Sequence, residues 1–238
     1  MTEWFEEWFS ETYLHLYPHR DDAEAEQLVG LLAHTLPWRP GLLALDVGCG
    51  AGRHMVALER AGARAIGLDL SAGLLRQARL ASRAPLVRAD MRELPVRPAS
   101  MDITLNLFTS FGYFDDDAEH RRAMAEMVAT VRPGGWFVLD YLNADRVRET
   151  LVPEEDATLA GARVHIRRRL EGEGHRVVKE IGLADGRRFL ERVRLFEPPA
   201  LEDMISAAGG VVRMRFGDYK GGPLGHARPR TLLIAERE

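Results

Sequence analysis

One stretch decides the fold of this chain: Leu43-Ala44-Leu45-Asp46-Val47-Gly48-Cys49-Gly50-Ala51-Gly52. Its first half is apolar enough to be a buried central strand, with an aspartate near the end. Three glycines at alternate positions then remove every Cβ that would keep a ligand away from the main chain. Residues 53–61 follow in helical register and stop at Gly62. Strand, glycine loop and helix together predict the first βα unit of a fold that binds a nucleoside-containing cofactor.

The glycine spacing argues against a dinucleotide. A dinucleotide loop follows Gly-x-Gly-x-x-Gly, or carries Ala last, so that its helix packs closely under the pyrophosphate. Counted from Gly48, that last position is Arg53, whose large side chain would prevent such packing. The pattern from Asp46 is instead Asp-x-Gly-x-Gly-x-Gly. This spacing disfavours a nicotinamide-dependent oxidoreductase.

Acidic residues stand at the ends of the next two predicted strands. The second strand ends in Asp69, twenty-one residues after Gly48. The third strand is followed by Asp90, another twenty-one residues on, and then by Met91. A carboxylate at the first position can accept both hydroxyls of a ribose, and one at the second can accept an adenine amino group. The methionine can then cover the face of the adenine ring.

With these three motifs the chain resembles the class I S-adenosylmethionine-dependent methyltransferases. The motifs are Asp46-Val47-Gly48-Cys49-Gly50-Ala51-Gly52, Gly67-Leu68-Asp69-Leu70-Ser71 and Ala89-Asp90-Met91. The resemblance implies S-adenosylmethionine as the cofactor and S-adenosylhomocysteine as the product. It also implies these cofactor-binding residues: Asp46, Gly48, Cys49, Gly50, Asp69, Leu70, Asp90, Met91, Asn106 and Leu107.

The resemblance implies an α/β fold, a Rossmann-like, doubly wound sheet of seven strands whose last pair is antiparallel. The sequence agrees, since strand patterns alternate with helical ones. The predicted strands are 42–47, 65–70, 86–89, 102–107, 136–141, 211–216 and 231–236. A helix is predicted over 116–132, with Asp116 at its start and Pro133 at its end.

A single domain over 1–238 is expected from the length of 238 residues and the 46% hydrophobic content. Within it we predict an N-terminal helical arm over 1–38 and a cofactor-binding core over 39–144. Three alternating segments, 163–170, 176–184 and 187–196, predict a three-stranded antiparallel insert over 155–198. Residues 199–238 supply the final helix and strands of the core. The insert is either a lid over the acceptor or a surface that forms a homodimer.

The acceptor is expected beside the loop that follows the fourth strand. Nucleic-acid base methyltransferases carry Asn-Pro-Pro-Tyr or its variants there, whereas Asn106 is followed by Leu107-Phe108. The predicted substrate-binding residues are Tyr13, Tyr17, Arg20, Phe111 and Tyr113, and the candidates for a catalytic role are Tyr113, His19 and His120. The open alternatives are that Phe111 only packs beneath the insert and that both histidines lie in solvent at helix ends.

These motifs predict methyl transfer to a small polar metabolite that carries an amine, a hydroxyl or a carboxylate. The alternatives are a protein or RNA methyltransferase and a non-catalytic S-adenosylmethionine-binding protein. The formal charge of −4 gives no general electrostatic footprint for nucleic acid. No apolar stretch has the length of a membrane span, and a lone Cys49 permits no intrachain disulfide, so we expect a cytoplasmic protein. The eight histidines are scattered, which predicts no metal site.

Overall fold

The computed structural model describes residues 3–9, 13, 16 and 22–238. Its main feature is a seven-stranded sheet in the order β3-β2-β1-β4-β5-β11-β10. These strands are β1 (Leu43–Val47), β2 (Arg64–Asp69), β3 (Leu86–Arg88), β4 (Met101–Asn106), β5 (Val131–Leu142), β10 (Gly210–Phe216) and β11 (Arg230–Arg237). The predicted α/β class and seven-stranded sheet are confirmed.

Strand direction within this sheet places the site. The pairs β1–β2, β1–β4, β2–β3 and β4–β5 are parallel, whereas β11 is antiparallel to both β5 and β10. The chain reverses its direction of winding between β1 and β4. In open α/β sheets ligands bind at such a reversal, outside the carboxyl ends of the strands. The glycine loop after β1 and the loop after β4 meet at this point.

Helices cover both faces of the sheet. In the described residues they are α1 (Trp4–Trp8), α2 (Asp22–Thr35), α3 (Arg53–Arg60), α4 (Ala72–Ala81), α5 (Asp117–Thr130), α6 (Ala144–Thr150) and α7 (Pro198–Ala207). Alternate residues of β1 serve the two cores: Leu45 packs in the cluster that contains α5 and α7, and Ala44 in the cluster that contains α2 and α3. This alternation follows from the two-residue period of a strand.

Side chains cap the helices that lead away from the site. The Ser71 hydroxyl accepts the backbone N–H of Leu74 at the start of α4, and the Asp116 carboxylate accepts that of Ala118 at the start of α5. The sequence correctly placed Asp116 at this start. Helix α5 ends at Thr130, two residues before the predicted end, because Val131 already has extended backbone and begins β5.

The insert is a four-stranded antiparallel sheet, where three strands were predicted. Its strands, in spatial order, are β6 (Glu154–Leu159), β7 (Ala162–Glu171), β8 (Arg176–Leu183) and β9 (Arg188–Arg194). Strand β6 was missed because it opens with three acidic residues, which are depleted in strands. Ala160 and Gly161 both have positive φ, 47° and 83°, and form the two-residue turn that joins β6 to β7.

No helix in the described part of the chain combines the length and the apolar character that crossing a membrane requires.

Candidate functional site

The glycine loop brings bare backbone to the carboxyl end of β1. Gly48, Gly50 and Gly52 have φ of 77°, 56° and 88°, a conformation that residues with a Cβ rarely adopt. At Gly48 space is a second reason for glycine, since a Cβ there would lie 2.7 Å from the Cβ of Ser110 in the loop after β4. The two loops at the winding reversal are therefore in direct contact.

Asp69 ties the end of β2 to the glycine loop. One carboxylate oxygen accepts the Gly50 N–H at 2.9 Å, and the other accepts the Ser71 N–H at 2.8 Å. Burial raises the pKa of this carboxyl above its usual value, although both backbone hydrogen bonds act to lower it. A carboxylate oxygen has two lone-pair positions, so each one retains acceptor capacity toward the cavity. Asp69 lines that cavity, as Leu70 does.

Asp90 lines the same cavity but is already engaged by a cation. The Arg92 guanidinium donates to both Asp90 carboxylate oxygens, at 2.6–3.1 Å, and also pairs with Glu3 and Glu119. Burial alone would raise the pKa of Asp90, but the hydrogen bonds from Arg92 bring it below its usual value. Met91 also lines the cavity, beside this ion cluster.

Asp46 and Asn106 lie behind the loops and are not among the residues lining the cavity. Both side chains are buried, and the Asn106 amide donates to the Val47 carbonyl at 2.9 Å. Among the described residues the Asp46 carboxylate finds no hydrogen-bond partner. Burial, with a smaller contribution from the nearby Asp69 charge, raises the pKa of Asp46 to about 7. This buried carboxyl, next to the glycine loop, therefore ionises near neutral pH.

Cys49 is held as a small residue of the tight loop. Its Sγ atom lies 2.8 Å from where a Cβ on Gly67 would be, so it fills space against β2. Burial and the neighbouring Asp46 and Asp69 carboxyls raise the pKa of its thiol. Because a reactive thiol needs a lowered pKa, this environment opposes a nucleophilic role. The backbone around Cys49 lines the cavity with Gly48 and Gly50.

One large cavity connects these parts. Its volume is about 1520 Å³, and it extends from the glycine loop and Asp69 past Asp90 and Met91 to Leu107, Tyr113 and the insert. The arm lines another side of it through Trp4, Phe5, Phe9 and Tyr13. A space of this size is larger than many single-ligand pockets and accommodates two ligands side by side.

Of the residues predicted for the acceptor site in and after the loop that follows β4, one lines the cavity and the others are buried in the core. Tyr113 lines the cavity, with its ring 5.2 Å from that of Trp4. Phe111 is fully buried and packs on Phe196, which agrees with the alternative that it only supports the insert. His120 is also fully buried, 5.0–5.3 Å from the rings of Phe111, Phe114 and Phe196. It therefore lies neither in solvent nor among the residues that line the cavity.

Burial lowers the pKa of His120 to about 4, so its imidazole is neutral at physiological pH. Buried away from the cavity and with so low a pKa, His120 is not placed to accept a proton from a substrate. Three other predicted residues, Tyr17, His19 and Arg20, lie outside the described residues. Tyr13 is described, lines the cavity, and contacts the rings of Trp8 and Phe9.

Comparison with known proteins agrees with this geometry. Residues 45–139 match the family model of the methyltransferase domain. The dTDP-3-amino-3,4,6-trideoxy-alpha-D-glucopyranose N,N-dimethyltransferase of Streptomyces venezuelae is 28% identical, over 85% of this chain and 87% of its own length. An amino pentose methyltransferase of Micromonospora echinaspora, solved with S-adenosylmethionine bound, has a TM-score of 0.68 and 25% identity, covering 96% of this chain and 95% of its own. The chain contains a methyltransferase domain over residues 45–139 and is an S-adenosylmethionine-dependent methyltransferase.

Two further similarities bear on the fold and the core of this methyltransferase. A Clostridium acetobutylicum methyltransferase has a TM-score of 0.81 at 15% identity, covers 95% of this chain and 98% of its own, and shows the fold alone. The ubiquinone biosynthesis O-methyltransferase of Bordetella bronchiseptica is 32% identical over 48% of each chain, so this chain spans about half of that relative. S-adenosylmethionine is the cofactor of the methyltransferase.

The residues of the methyltransferase fit this cofactor. The bare backbone of the glycine loop and the acceptor capacity left on Asp69 suit its methionine chain and its ribose. Because its pKa is about 7, the Asp46 carboxyl is partly ionised at neutral pH, and the ionised form adds negative charge beside the loop, which complements a cofactor that carries a sulfonium and an ammonium.

Hydrogen bonds join the arm of the methyltransferase to the loop after β4, to the insert and to the segment after β2. The Trp4 indole N–H donates to the Tyr113 carbonyl at 3.2 Å, and that of Trp8 donates to the Glu191 carboxylate of the insert at 2.7 Å. The Ser71 hydroxyl donates to the Phe9 carbonyl at 2.5 Å, next to Asp69. The arm aromatics therefore pack against the cofactor loops, the loop after β4 and the insert.

Sequence reasoning missed a strained turn in the loop after β4. Phe108 and Thr109 have φ of 56° and 62°. Asp140 holds them, because its carboxylate accepts the Phe108 N–H at 2.8 Å and its carbonyl accepts the Thr109 N–H at 2.9 Å. Arg230 and Tyr219 in turn bind the Asp140 carboxylate. Consecutive left-handed residues without glycine leave no signal in a sequence.

Two arginines on the cavity wall were also missed as site residues. The guanidinium carbons of Arg53 and Arg230 lie 4.2 Å and 5.3 Å from the centroid of the Phe108 ring. The sequence analysis used Arg53 only to argue against dinucleotide binding. Its position directly after the third glycine could have identified it as a residue of the cavity wall. Both arginines line the cavity and add positive charge to it.

Proposed function

We propose that this methyltransferase transfers a methyl group to a small polar metabolite that carries an amine, a hydroxyl or a carboxylate. The observation that carries the proposal is one cavity of about 1520 Å³, which continues from the cofactor loops to an acceptor space lined by the arm and the insert. A space of this size holds a small acceptor beside the cofactor. The name of the Streptomyces venezuelae relative, an aminosugar N,N-dimethyltransferase, supports an acceptor of small size.

In this proposal the cofactor supplies a methyl group activated on its sulfonium sulfur. Asp69 would hold the ribose, while Asp90 and Met91 would contact the adenine. The backbone at Gly48 and Gly50 would bind the methionine chain, and Arg53 would offer a cation to its carboxylate. Each of these residues binds or orients, and none forms a covalent bond.

The transfer is an in-line displacement. Bound S-adenosylmethionine would supply an electrophilic methyl carbon: an electron pair of the acceptor would form the new bond to it, and the sulfur would keep the pair of the broken carbon–sulfur bond. Alignment and exclusion of water supply most of the acceleration, as in oriented intramolecular reactions. Tyr113 positions the acceptor from the loop after β4, and the arm aromatics Trp4, Phe5 and Phe9 keep water out. A carboxylate acceptor needs no base, whereas an ammonium must first release its proton to solvent and a hydroxyl must release its proton as the new bond forms.

The test is a methyl-transfer assay on three groups of acceptors: small amines, alcohols and acids; folded proteins; and RNA. Release of S-adenosylhomocysteine is measured with the full-length protein. Turnover on small molecules is expected. Turnover confined to folded protein or RNA would overturn the proposal, and binding of S-adenosylhomocysteine without turnover on any group would support a non-catalytic role instead.

A further inference from the structure

The face of the insert that lines the cavity carries a row of charges between apolar rows. Strand pairing places Arg168, Lys179 and Glu191 side by side across β7, β8 and β9. All three line the cavity, as does Glu155, which pairs with Arg168 at 2.6 Å. The neighbouring row on one side is Ile166, Ile181 and Phe189, and on the other side it is Leu170, Val177 and Val193. We call Glu155, Arg168, Lys179 and Glu191 the charged row.

The charged row gives the fold little stability in return for the desolvation of its side chains. The side chains of Lys179 and Glu191 are 21% and 20% exposed and form an ion pair at 3.2 Å. Partly buried ion pairs contribute little net stability, because desolvation offsets the attraction between the charges. The outer face of the same sheet carries a cross-strand pair that is far more exposed, Glu154 and Arg167 at 55% and 59%. Charges kept half-buried against a cavity are better explained by a ligand.

The position of Glu191 in the charged row is fixed by its hydrogen-bond and ion-pair partners. The Trp8 indole N–H and the Lys179 ammonium hold the two Glu191 carboxylate oxygens, at 2.7 Å and 3.2 Å. Glu191 lies on β9, the strand that runs beside the loop after β4, where the Arg194 N–H donates to the Gly112 carbonyl. Glu191 therefore stands at the β9 end of the row, on the side of the loop that carries Tyr113, and Lys179 and then Arg168 lie further from β9. Glu155 on β6 pairs with Arg168 at the opposite end, so both ends of the row are negative and the two cations lie between them.

We infer that the acceptor carries both an amino group and an anionic group, and that the charged row recognises the two together. Glu191 holds the amino group beside Tyr113, where the methyl group arrives. Lys179 and Arg168 bind the anion, which is a carboxylate or a phosphate. This inference rests on the proposed function and narrows its substrate class to amines with an attached anion.

The first experiment exchanges the charges at positions 179 and 191, so that an ion pair between the two positions is kept. The double substitution Lys179→Glu with Glu191→Lys is compared with Glu191→Gln, which removes the charge but keeps an acceptor for Trp8. Both variants are expected to raise KM for such an acceptor by about tenfold or more, since hydrogen bonds to charged groups are worth roughly 1.5–3 kcal/mol. Binding of S-adenosylhomocysteine should change less than about twofold.

The matched control is the outer pair, with Glu154→Arg combined with Arg167→Glu. This swap also preserves a cross-strand pair of the insert, and KM should stay at the parent value. A row that only stabilises the sheet would give the same KM for the inner swap and the control, and that result would overturn the inference.

The second experiment is a panel in four groups: amino acids, aminosugar phosphates, neutral or simple cationic amines, and carboxylates without an amine. Turnover is expected only in the first two groups, and their comparison distinguishes carboxylate from phosphate. Turnover confined to the last two groups, or equal kcat/KM with and without the anion, would overturn this inference while leaving the proposed function in place. Turnover on no small molecule, with activity on folded protein or RNA, would overturn both.

Discussion

Asp69 stands where the glycine loop, the second strand and the cavity meet, so one carboxylate both shapes the loop and lines the cavity. Asp69→Ala removes the acceptor for the Gly50 and Ser71 N–H groups and, in the proposed function, the acceptor for ribose. We expect S-adenosylhomocysteine to bind at least about 2 kcal/mol more weakly, since hydrogen bonds to charged groups are worth roughly 1.5–3 kcal/mol each. Titration calorimetry measures the change.

Asp90→Ala is the natural comparison. The Asp90 carboxylate is shared with Arg92, and in the proposed function it accepts one hydrogen bond from a neutral adenine amino group, so its loss should weaken binding less. Parent-like affinity in both variants would mean that the cofactor lies elsewhere in the cavity.

Asp46 predicts a pH dependence of stability. Its pKa is raised from 3.8 to about 7, so across that window the folded state holds a proton that the unfolded state releases. Stability therefore falls as pH rises from 3.8 to 7, and the loss is complete above 7. Asp46→Asn removes this dependence. Urea unfolding of the ligand-free protein should show a larger stabilisation by Asp46→Asn at pH 8 than at pH 4.5. An equal effect at both pH values would show that Asp46 titrates normally.

Among the structural elements, the glycine loop and the loop after β4 constrain each other. Gly48→Ala adds a Cβ 2.7 Å from Ser110 at a residue with φ of 77°. We expect a loss of stability well above the roughly 1–2 kcal/mol of left-handed strain alone, together with weaker cofactor binding. Urea unfolding and calorimetry measure the two effects.

Gly41→Ala is its control. Gly41 has φ of 79°, and a Cβ there meets nothing within 4 Å, so only the backbone strain is added. Its stability loss should be the smaller one, with cofactor affinity unchanged. If both variants lost the same stability and bound the cofactor equally well, the contact with Ser110 would contribute nothing to the free energy of unfolding or of binding.

The cofactor half of the site was predictable because its chemistry is tied to local backbone. Glycines with positive φ and acids at the ends of parallel strands have a fixed spacing in the chain, and the structure places Gly48, Asp69 and Asp90 around one cavity. Strand β6 escaped prediction because its acidic residues pair with β7 only once the insert has formed. The strained turn at Phe108 and Thr109 depends on Asp140 and Arg230, which are distant in sequence.

At the scale of the whole molecule, the acceptor side depends on three segments that no local pattern brings together. Trp4 and Trp8 connect the arm to Tyr113 and to Glu191, across more than a hundred residues of chain. The sequence indicated that Lys179 and Glu191 lie on alternating strands, but only the pairing of β8 with β9 turns them toward the cavity. The homodimer through the insert stays a prediction, for which the outer face of that sheet is the available surface.

We expect the arm to affect turnover through its contacts with the cavity wall, and Trp4 is the residue that tests this. Trp4→Phe removes the indole N–H that donates to the Tyr113 carbonyl, while an aromatic ring remains against Phe5 and Phe9. We expect kcat to fall, because Tyr113 loses a contact that fixes its position. Deletion of residues 1–20 should lower turnover further and weaken cofactor binding.

Trp38→Phe is the matched control for this last prediction. The Trp38 indole N–H also donates to a backbone carbonyl, that of Ala61 at 2.9 Å, but Trp38 is not among the residues that line the cavity. Each substitution removes one hydrogen bond worth about 1 kcal/mol of stability, so thermal unfolding should shift by similar amounts. Only Trp4→Phe should change kcat, measured as S-adenosylhomocysteine release under saturating cofactor. Equal kcat in the two variants, or full turnover after deletion of residues 1–20, would remove the arm from the acceptor site.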